Sequence, residues 1–279
     1  MNLNDPAILQ LVNLAIDEDI KDGDITTNSI ISIKEKREAS FIVKQNGIIA
    51  GLDIARMVIE KFDPLIKWKQ YKNDGDSCIK GEVVVKVKGS YKALLTTERT
   101  ALNFLQRMSG IATKTNKFVS QLEGLHTKIL DTRKTVPGHR LLDKYAVKTG
   151  GGENHRIGLY DMVLIKDNHI RLAGGITNAV AAVKKNLVKQ LKIEIEVSSI
   201  NEVKEALNTK VDFIMLDNMP VDKMKKAVKL CKGKVMTEAS GNISISNVRE
   251  VAETGVDFIS AGELTHSVEA LDISMKITD

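Results

Sequence analysis

Between Asp131 and Arg171 the chain gathers Arg133, Lys134, Arg140, Lys148, Arg156 and Lys166, together with His139, His155 and His169. Arginine forks bind carboxylates through two parallel hydrogen bonds, and lysine supplies a point charge. This composition fits a small polyanionic substrate held by several cations. Arg133 and Lys134 directly follow one apolar run, and Lys166 ends another, MVLI. Lys144 and Arg171 read instead as helix or loop residues facing water. The plain alternative for the cluster is a network of ion pairs with Glu196 and Asp217.

Those two carboxylates end the runs IEIE and IMLD. Oxygen ligands beside a basic cluster suit Mg²⁺ held partly through water and substrate phosphate, or simple salt bridges to Lys134 or Lys166. Glu194 shares a face with Glu196, because alternate residues of a strand point the same way, so spacing leaves both open. Ser240-Gly241-Asn242 and Ala261-Gly262 close two later runs ahead of helices, where backbone amides can take a phosphate. His266 follows and could donate a hydrogen bond to it. Gly150-Gly151-Gly152 predicts exposed, mobile amides, but no GK[ST] follows it and no GxGxxG occurs in the chain. No serine or cysteine with a base partner marks a nucleophile.

These residues need elements that bring them together. Strand-like runs at 128–131, 162–165, 193–197, 213–216, 235–238 and 258–260 alternate with helix-like runs at 141–148, 176–185, 200–207, 221–230 and 246–253. Such alternation implies βαβ units and a parallel sheet covered on both faces. VDFIMLDNM and VDFISAGEL read as two equivalent units of that architecture. Asp131, Lys166, Glu196, Asp217, Ser240 and Gly262 all fall at strand C-terminal ends. A closed or nearly closed barrel collects such ends at one mouth, whereas an open sheet collects them only at its switch point. Before this stretch, one amphipathic helix opened by Asn4-Asp5-Pro6 leads into short antiparallel strands up to about Ser90. A helix then spans 94–122, which Gly110 either interrupts or lets pack closely.

The chain has 279 residues, 43% hydrophobic and 4% aromatic, with a net charge of +5. That describes a folded α/β protein with an interspersed charged surface. Scarce aromatics and the acidic pair at the mouth weigh against a nucleic-acid-binding protein. No apolar run approaches the ~20 residues that span a bilayer, so no membrane partner is expected. Cys78 and Cys231 lack a CxxC partner and read as isolated thiols; a reducing cytoplasm is the expected location.

In order along the chain run TTERTALNFLQRMSGIAT, DTRKTVPG, KTGGGENHRIGLYDMVLIKDNHI, IEIEV, IMLDN, ASGN and VDFISAGELTHSV. Together with the early EDIKDGDITTN, they resemble the quinolinate phosphoribosyltransferases. The resemblance implies an incomplete β/α barrel of the type II phosphoribosyltransferases over 108–267. It also implies a smaller N-terminal α+β sandwich-like domain over 1–107, completed by a strand within 268–279. The implied reaction turns quinolinate and phosphoribosyl pyrophosphate into nicotinate mononucleotide, pyrophosphate and carbon dioxide, in NAD biosynthesis, with Mg²⁺ and no organic cofactor. Position by position, Arg133, Lys134, His155, Arg156 and Lys166 would bind the dicarboxylate and phosphates. Glu196 and Asp217 would meet the ribose hydroxyls and the metal, and Ser240, Gly241, Gly262 and His266 would cradle the 5′-phosphate. Thr132, Asn242, Ala261 and Glu263 complete the implied binding set, while Lys134, Lys166, Glu196 and Asp217 carry the catalysis. Arg99 would reach a neighbouring subunit's site, making the working unit a homodimer or higher. A paralogue using another pyridine or pyrimidine acceptor is the close rival.

Overall fold

The structure, a computed structural model, describes residues 1–32 and 34–278. In chain order the early elements are α1 (Pro6–Ile20), α2 (Ile25–Ile30), β1 (Lys36–Val43), β2 (Gly47–Ile48), α3 (Leu52–Glu60), β3 (Lys67–Gln70), β4 (Ser77–Cys78), β5 (Val83–Ser90) and α4 (Tyr91–Gln121). Then come β6 (Lys128–Leu130), α5 (Arg140–Thr149), β7 (Val163–Ile165), α6 (Asp167–Ala173), α7 (Ile176–Asn186), β8 (Ile193–Val197), α8 (Ile200–Leu207) and β9 (Phe213–Asp217). The last are α9 (Val221–Cys231), β10 (Met236–Ser240), α10 (Val248–Ala252), β11 (Phe258–Ser260), α11 (Glu263–His266) and β12 (Ile273–Thr278). They form two compact units, one of Met1–Asn116, Thr135–Gly151 and Ser267–Asp279, the other of Lys117–Lys134 and Gly152–His266.

The first unit carries an antiparallel sheet in the order β12-β1-β5-β3, with β2 and β4 paired separately. Ala39, Phe41 and Val43 of β1 are fully buried, as period-2 alternation requires of a strand with one face on the core. Asp5 caps α1 by accepting from the Ala7 amide at 2.9 Å, with Pro6 at the first helical position. Two helices here escape the strand-like reading of this region. In α3 the buried positions Ile54, Ala55, Val58 and Ile59 recur at helical spacing. In α2, six residues with one buried side chain are too short to show a period. Gly110 does not interrupt α4. A Cβ there would lie 2.2 Å from the Glu269 carbonyl oxygen, so the glycine permits a close backbone approach.

The second unit is the parallel sheet, in the order β6-β11-β10-β9-β8-β7, every neighbouring pair parallel. Each strand lies beside the next in sequence except β6, which pairs with β11. Among the described residues β6 and β7 do not pair, so the barrel is incomplete; Glu153 instead bridges to Leu130 on the open side of β6. Ile195, Ile214, Leu216, Ala239 and Ile259 are fully buried on the outer face of the strands, which the helices cover. The helix α6, missed in the sequence reading, has no buried residue and hence no apolar stripe to read.

Candidate active site at the strand ends

Strand register arranges the inward-facing side chains in layers. Asp217 pairs with Ser240, and one step earlier Glu196 pairs with Met215, which in turn pairs with Glu238. Glu194 lies one inward position before Glu196, beside Leu164 and Phe213. Depth therefore separates the two glutamates that spacing alone leaves equivalent. Glu194 has no exposed surface, while the Glu196 side chain keeps 13% of its own.

At the mouth, Lys166 Nζ lies 2.6 Å from Glu196 Oε1. The backbone of Lys166 is fixed as the N-cap of α6, its amide donating to His169 Nδ1 at 2.9 Å. His169 thus acts on the main chain. Asp217 ends β9, and Asn218, in the left-handed region at φ 49°, donates from Nδ2 to Asp217 Oδ2 at 3.0 Å. Asn242 Nδ2 donates to Asn218 Oδ1 at 3.2 Å. Between them Gly241 has φ +97°, and a Cβ on it would stand 2.2 Å from Asn218 Oδ1. Asn218 is a site residue the sequence reading passed over; its signal was an asparagine just past a strand end, where few other side chains tolerate positive φ. The amides of Gly241 and Asn242 belong to a loop, not to a helix start, because α10 begins only at Val248.

On the β11 side, Ala261 is buried and its amide donates to Leu130 O at 3.0 Å, so that amide is spent on the sheet. Gly262 leaves room for two side chains: a Cβ there would approach Lys134 Cδ to 2.9 Å and His266 Cδ2 to 3.0 Å. Thr265 Oγ1 donates to the Lys134 carbonyl at 2.9 Å, and the Lys134 amide donates to Thr132 Oγ1 at 3.1 Å. Lys134, Gly262 and His266 therefore share one corner, with Thr132 and the half-exposed Glu263 on the same two segments.

Near Arg156 lies a buried acidic cluster, Glu194 and Glu238 with His155. His155 donates its amide to Asp131 Oδ1 at 2.9 Å, and its Nε2 lies 2.9 Å from Glu194 Oε2 and 3.5 Å from Glu238 Oε2. Burial pushes both carboxyls up, Glu194 to about 7 and Glu238 to about 8. Each is also raised by a neighbouring carboxylate, Glu196 for the first and Glu194 for the second, while the His155 ring lowers Glu238. The Arg156 guanidinium donates to Met162 O at 3.1 Å. It is held below the usual arginine range, by burial first and then by the nearby positive charge of Arg133. Glu194, Asp161 and Glu196 act on it in the opposite direction.

Three members of the predicted basic cluster and Arg99 belong to the other unit. Arg140 donates to Thr135 Oγ1 at 3.1 Å, and the His139 ring stacks on Phe104 with centroids 5.9 Å apart. Lys148 and Arg99 are exposed, Arg99 on α4. Lys144, expected at the surface, is buried, at 2% exposed, although it lies on the side of α5 opposite Leu142 and Ala146. Gly150 and Gly151 are not loose. Gly150 N donates to Ala146 O at 3.0 Å, Gly151 N to Lys148 O at 3.0 Å, and a Cβ on Gly150 would meet Ala112 O at 2.3 Å.

Comparison with known proteins bears on this geometry. Residues 24–109 match the family described as quinolinate phosphoribosyl transferase, N-terminal domain, and residues 111–276 match its C-terminal domain. The chain is 47% identical to the nicotinate-nucleotide pyrophosphorylase [carboxylating], chloroplastic, of Oryza sativa subsp. japonica, over 96% of this chain and 76% of that one. It is 42% identical to the probable nicotinate-nucleotide pyrophosphorylase [carboxylating] of Bacillus subtilis (strain 168), over 99% and 95%. Among solved structures, the nicotinate-nucleotide pyrophosphorylase of Francisella tularensis superposes with a TM-score of 0.94 at 42% identity, covering 98% of this chain and 96% of that one. NadC from Streptococcus pyogenes gives 0.94 at 39% identity, covering 97% and 96%.

Proposed function

The chain belongs to the quinolinate phosphoribosyltransferase family, and we infer from this that it transfers the phosphoribosyl group of phosphoribosyl pyrophosphate to quinolinate. The products are nicotinate mononucleotide, pyrophosphate and carbon dioxide, and the step serves NAD biosynthesis. The observation that carries this reading is the set of cations at the strand ends: Lys166 lies 2.6 Å from Glu196, Lys134 shares a corner with Gly262 and His266, and Arg156 is held by Met162 O. Such cations suit a dicarboxylate, bound with its ring nitrogen toward the mouth.

In the transfer, the pyridine nitrogen bonds to C1 of the ribose as the bond to pyrophosphate breaks, and charge accumulates on the departing oxygens. Lys134, in the corner with Gly262 and His266, supports phosphate binding there. Glu196 and Asp217 support the ribose hydroxyls. Loss of the C2 carboxylate then leaves its electron pair on a ring already carrying a cationic nitrogen, and a proton replaces it. The ring is its own electron sink, so the reading needs no organic cofactor. Holding the two reactants in line supplies much of the acceleration.

Glu196 and Asp217 offer hard oxygen donors in adjacent strands on one inward face, which fits Mg²⁺ held partly by water and substrate. When bound, the ion would neutralise charge growing on the leaving group. Lys166, paired with Glu196, keeps that carboxylate aimed. We further place the enzyme in the cytoplasm and in a homodimer or larger assembly, in which the exposed Arg99 serves a neighbouring subunit's acceptor. Among the described residues no helix is long and apolar enough to cross a membrane.

Purified protein supplied with Mg²⁺, phosphoribosyl pyrophosphate and carboxyl-labelled quinolinate should release labelled carbon dioxide in step with pyrophosphate. No release, or faster turnover of a pyridine monocarboxylate, would overturn the assignment.

A further inference from the structure

His155, Glu194 and Glu238 form a cluster beneath the mouth that the transfer chemistry leaves unused. Their ligand atoms lie within 4.8 Å of one another, a spacing that a metal ion could use. The imidazole argues against that. Its Nδ1 accepts the Arg156 amide at 2.7 Å, so the hydrogen of the neutral ring sits on Nε2 and is donated to Glu194. A metal at Nε2 would force that hydrogen onto Nδ1, against an N–H, whereas a metal-bound histidine normally donates its other nitrogen.

The cluster does something else. Residues 155 and 156 are tied at four points: the His155 amide to Asp131, the ring to Glu194, the Arg156 amide to the ring, and the Arg156 guanidinium to Met162 O. The ring's anchor comes from the barrel interior, from β8, with the β10 glutamate at its back. Buried carboxyls contribute little to stability that packed apolar side chains would not. Their effect therefore falls on what they hold.

We propose that Glu194, backed by Glu238, is a positioning residue for the acceptor: by taking the Nε2–H of His155 it fixes the 155–156 backbone and so aims the Arg156 guanidinium at a substrate carboxylate. This rests on the function proposed above. Glu194 thus has a task different from that of Glu196, despite their shared face.

Nitrogen-15 NMR of the imidazoles in the intact enzyme tests the first link, with the His155 signals identified by their loss in His155→Gln. The expected spectrum has a protonated Nε2 and a bare Nδ1; a protonated Nδ1 overturns the proposal. Steady-state kinetics test the second. Glu194→Leu should raise KM for quinolinate about tenfold or more, the scale of one lost buried hydrogen bond, with KM for the phosphoribosyl donor within about twofold. Glu194→Gln, which can still accept from Nε2, should recover most of that loss and keep the wild-type imidazole spectrum. An unchanged quinolinate KM in the leucine variant, or losses spread equally over both substrates, overturns the inference. If the leucine variant does not fold, the glutamine variant and the wild-type spectrum still decide. Failure of the unmodified protein to release carbon dioxide sinks the functional reading instead, and is told apart because the kinetic arm needs an active parent.

Discussion

The Asp143 carboxylate, with no exposed surface, takes two hydrogen bonds from the Arg107 guanidinium, at 3.0 Å from Nε and 2.8 Å from Nη2. The pair joins α4 to α5 inside the first unit. Removing one partner leaves a buried charge without its counterion, which costs about 3–5 kcal/mol. Arg107→Ala should therefore lower the urea midpoint markedly. Arg107→Leu combined with Asp143→Leu should be far less damaging than the single change predicts. Additive losses in a double-mutant cycle would contradict this.

Gly110→Ala reverses a familiar rule. Alanine in place of a helical glycine usually stabilises by about 1 kcal/mol. Here the new methyl would stand 2.2 Å from the Glu269 carbonyl oxygen, which belongs to the backbone and cannot swing aside. Overpacking of this kind costs roughly 1–3 kcal/mol. Chemical denaturation should show a net loss; a gain would mean that the segment before β12 yields easily.

Gly241→Ala should act on the donor side of the reaction while also straining the backbone, because φ +97° is a region L side chains rarely adopt. The added Cβ meets the side chain of Asn218, which can move, though only by giving up its contacts with Asp217 and Asn242. The expected result is a higher KM for phosphoribosyl pyrophosphate with KM for quinolinate nearly unchanged. Asn218→Gly keeps the left-handed φ but removes the bridge, and should reproduce part of the same effect.

Glu196→Gln removes the negative charge of one proposed oxygen ligand, and with it the ion pair to Lys166. It should lower kcat by about 10²-fold, as loss of one preorganised electrostatic group commonly does. It should also raise the Mg²⁺ concentration giving half-maximal rate. An unchanged Mg²⁺ titration would separate this carboxylate from the metal.

Glu238 sets a pH trend in stability. Burial, followed by the adjacent Glu194, raises its carboxyl from an ordinary 4.5 to about 8. The folded state therefore holds a proton that the unfolded chain releases. This contribution is fully present below about 4.5 and is lost as pH rises through about 8. Wild-type stability should decline across that interval, and Glu238→Gln, which cannot ionise, should flatten the decline. Parallel pH profiles for the two proteins would refute it.

Much of the second unit was legible because its signals are local. Each strand is a short apolar run with a chemically distinctive residue at its end, so Lys166, Glu196, Asp217 and Ser240 could be placed at one mouth from sequence. Depth was not legible. Glu194 and Glu196 carry the same side chain with the same parity, and only the register against β7 and β9 shows which reaches the mouth. Nor could the pairing of His155 with Glu194 and Glu238 be read, since these contacts cross the barrel between residues far apart in the chain. In the first unit, α3 has a helical period, but surrounding β-like runs masked it. Lys144 misled because its charge suggests water, while the helix geometry that buries it depends on tertiary packing.

The pairing of β12 with β1 sets a schedule for the newborn chain. Glu38 through Val43 wait for partners at Ile273 through Thr278, and residues 44–272 are translated between them. Until Ile273 through Thr278 emerge from the ribosome, one edge of the first sheet stands unpaired, a template for any strand nearby. The barrel unit, whose strands all precede β12, can assemble beforehand. A stop codon that removed only the final strand would leave the candidate chemistry encoded in full, and would be felt first as aggregation during synthesis.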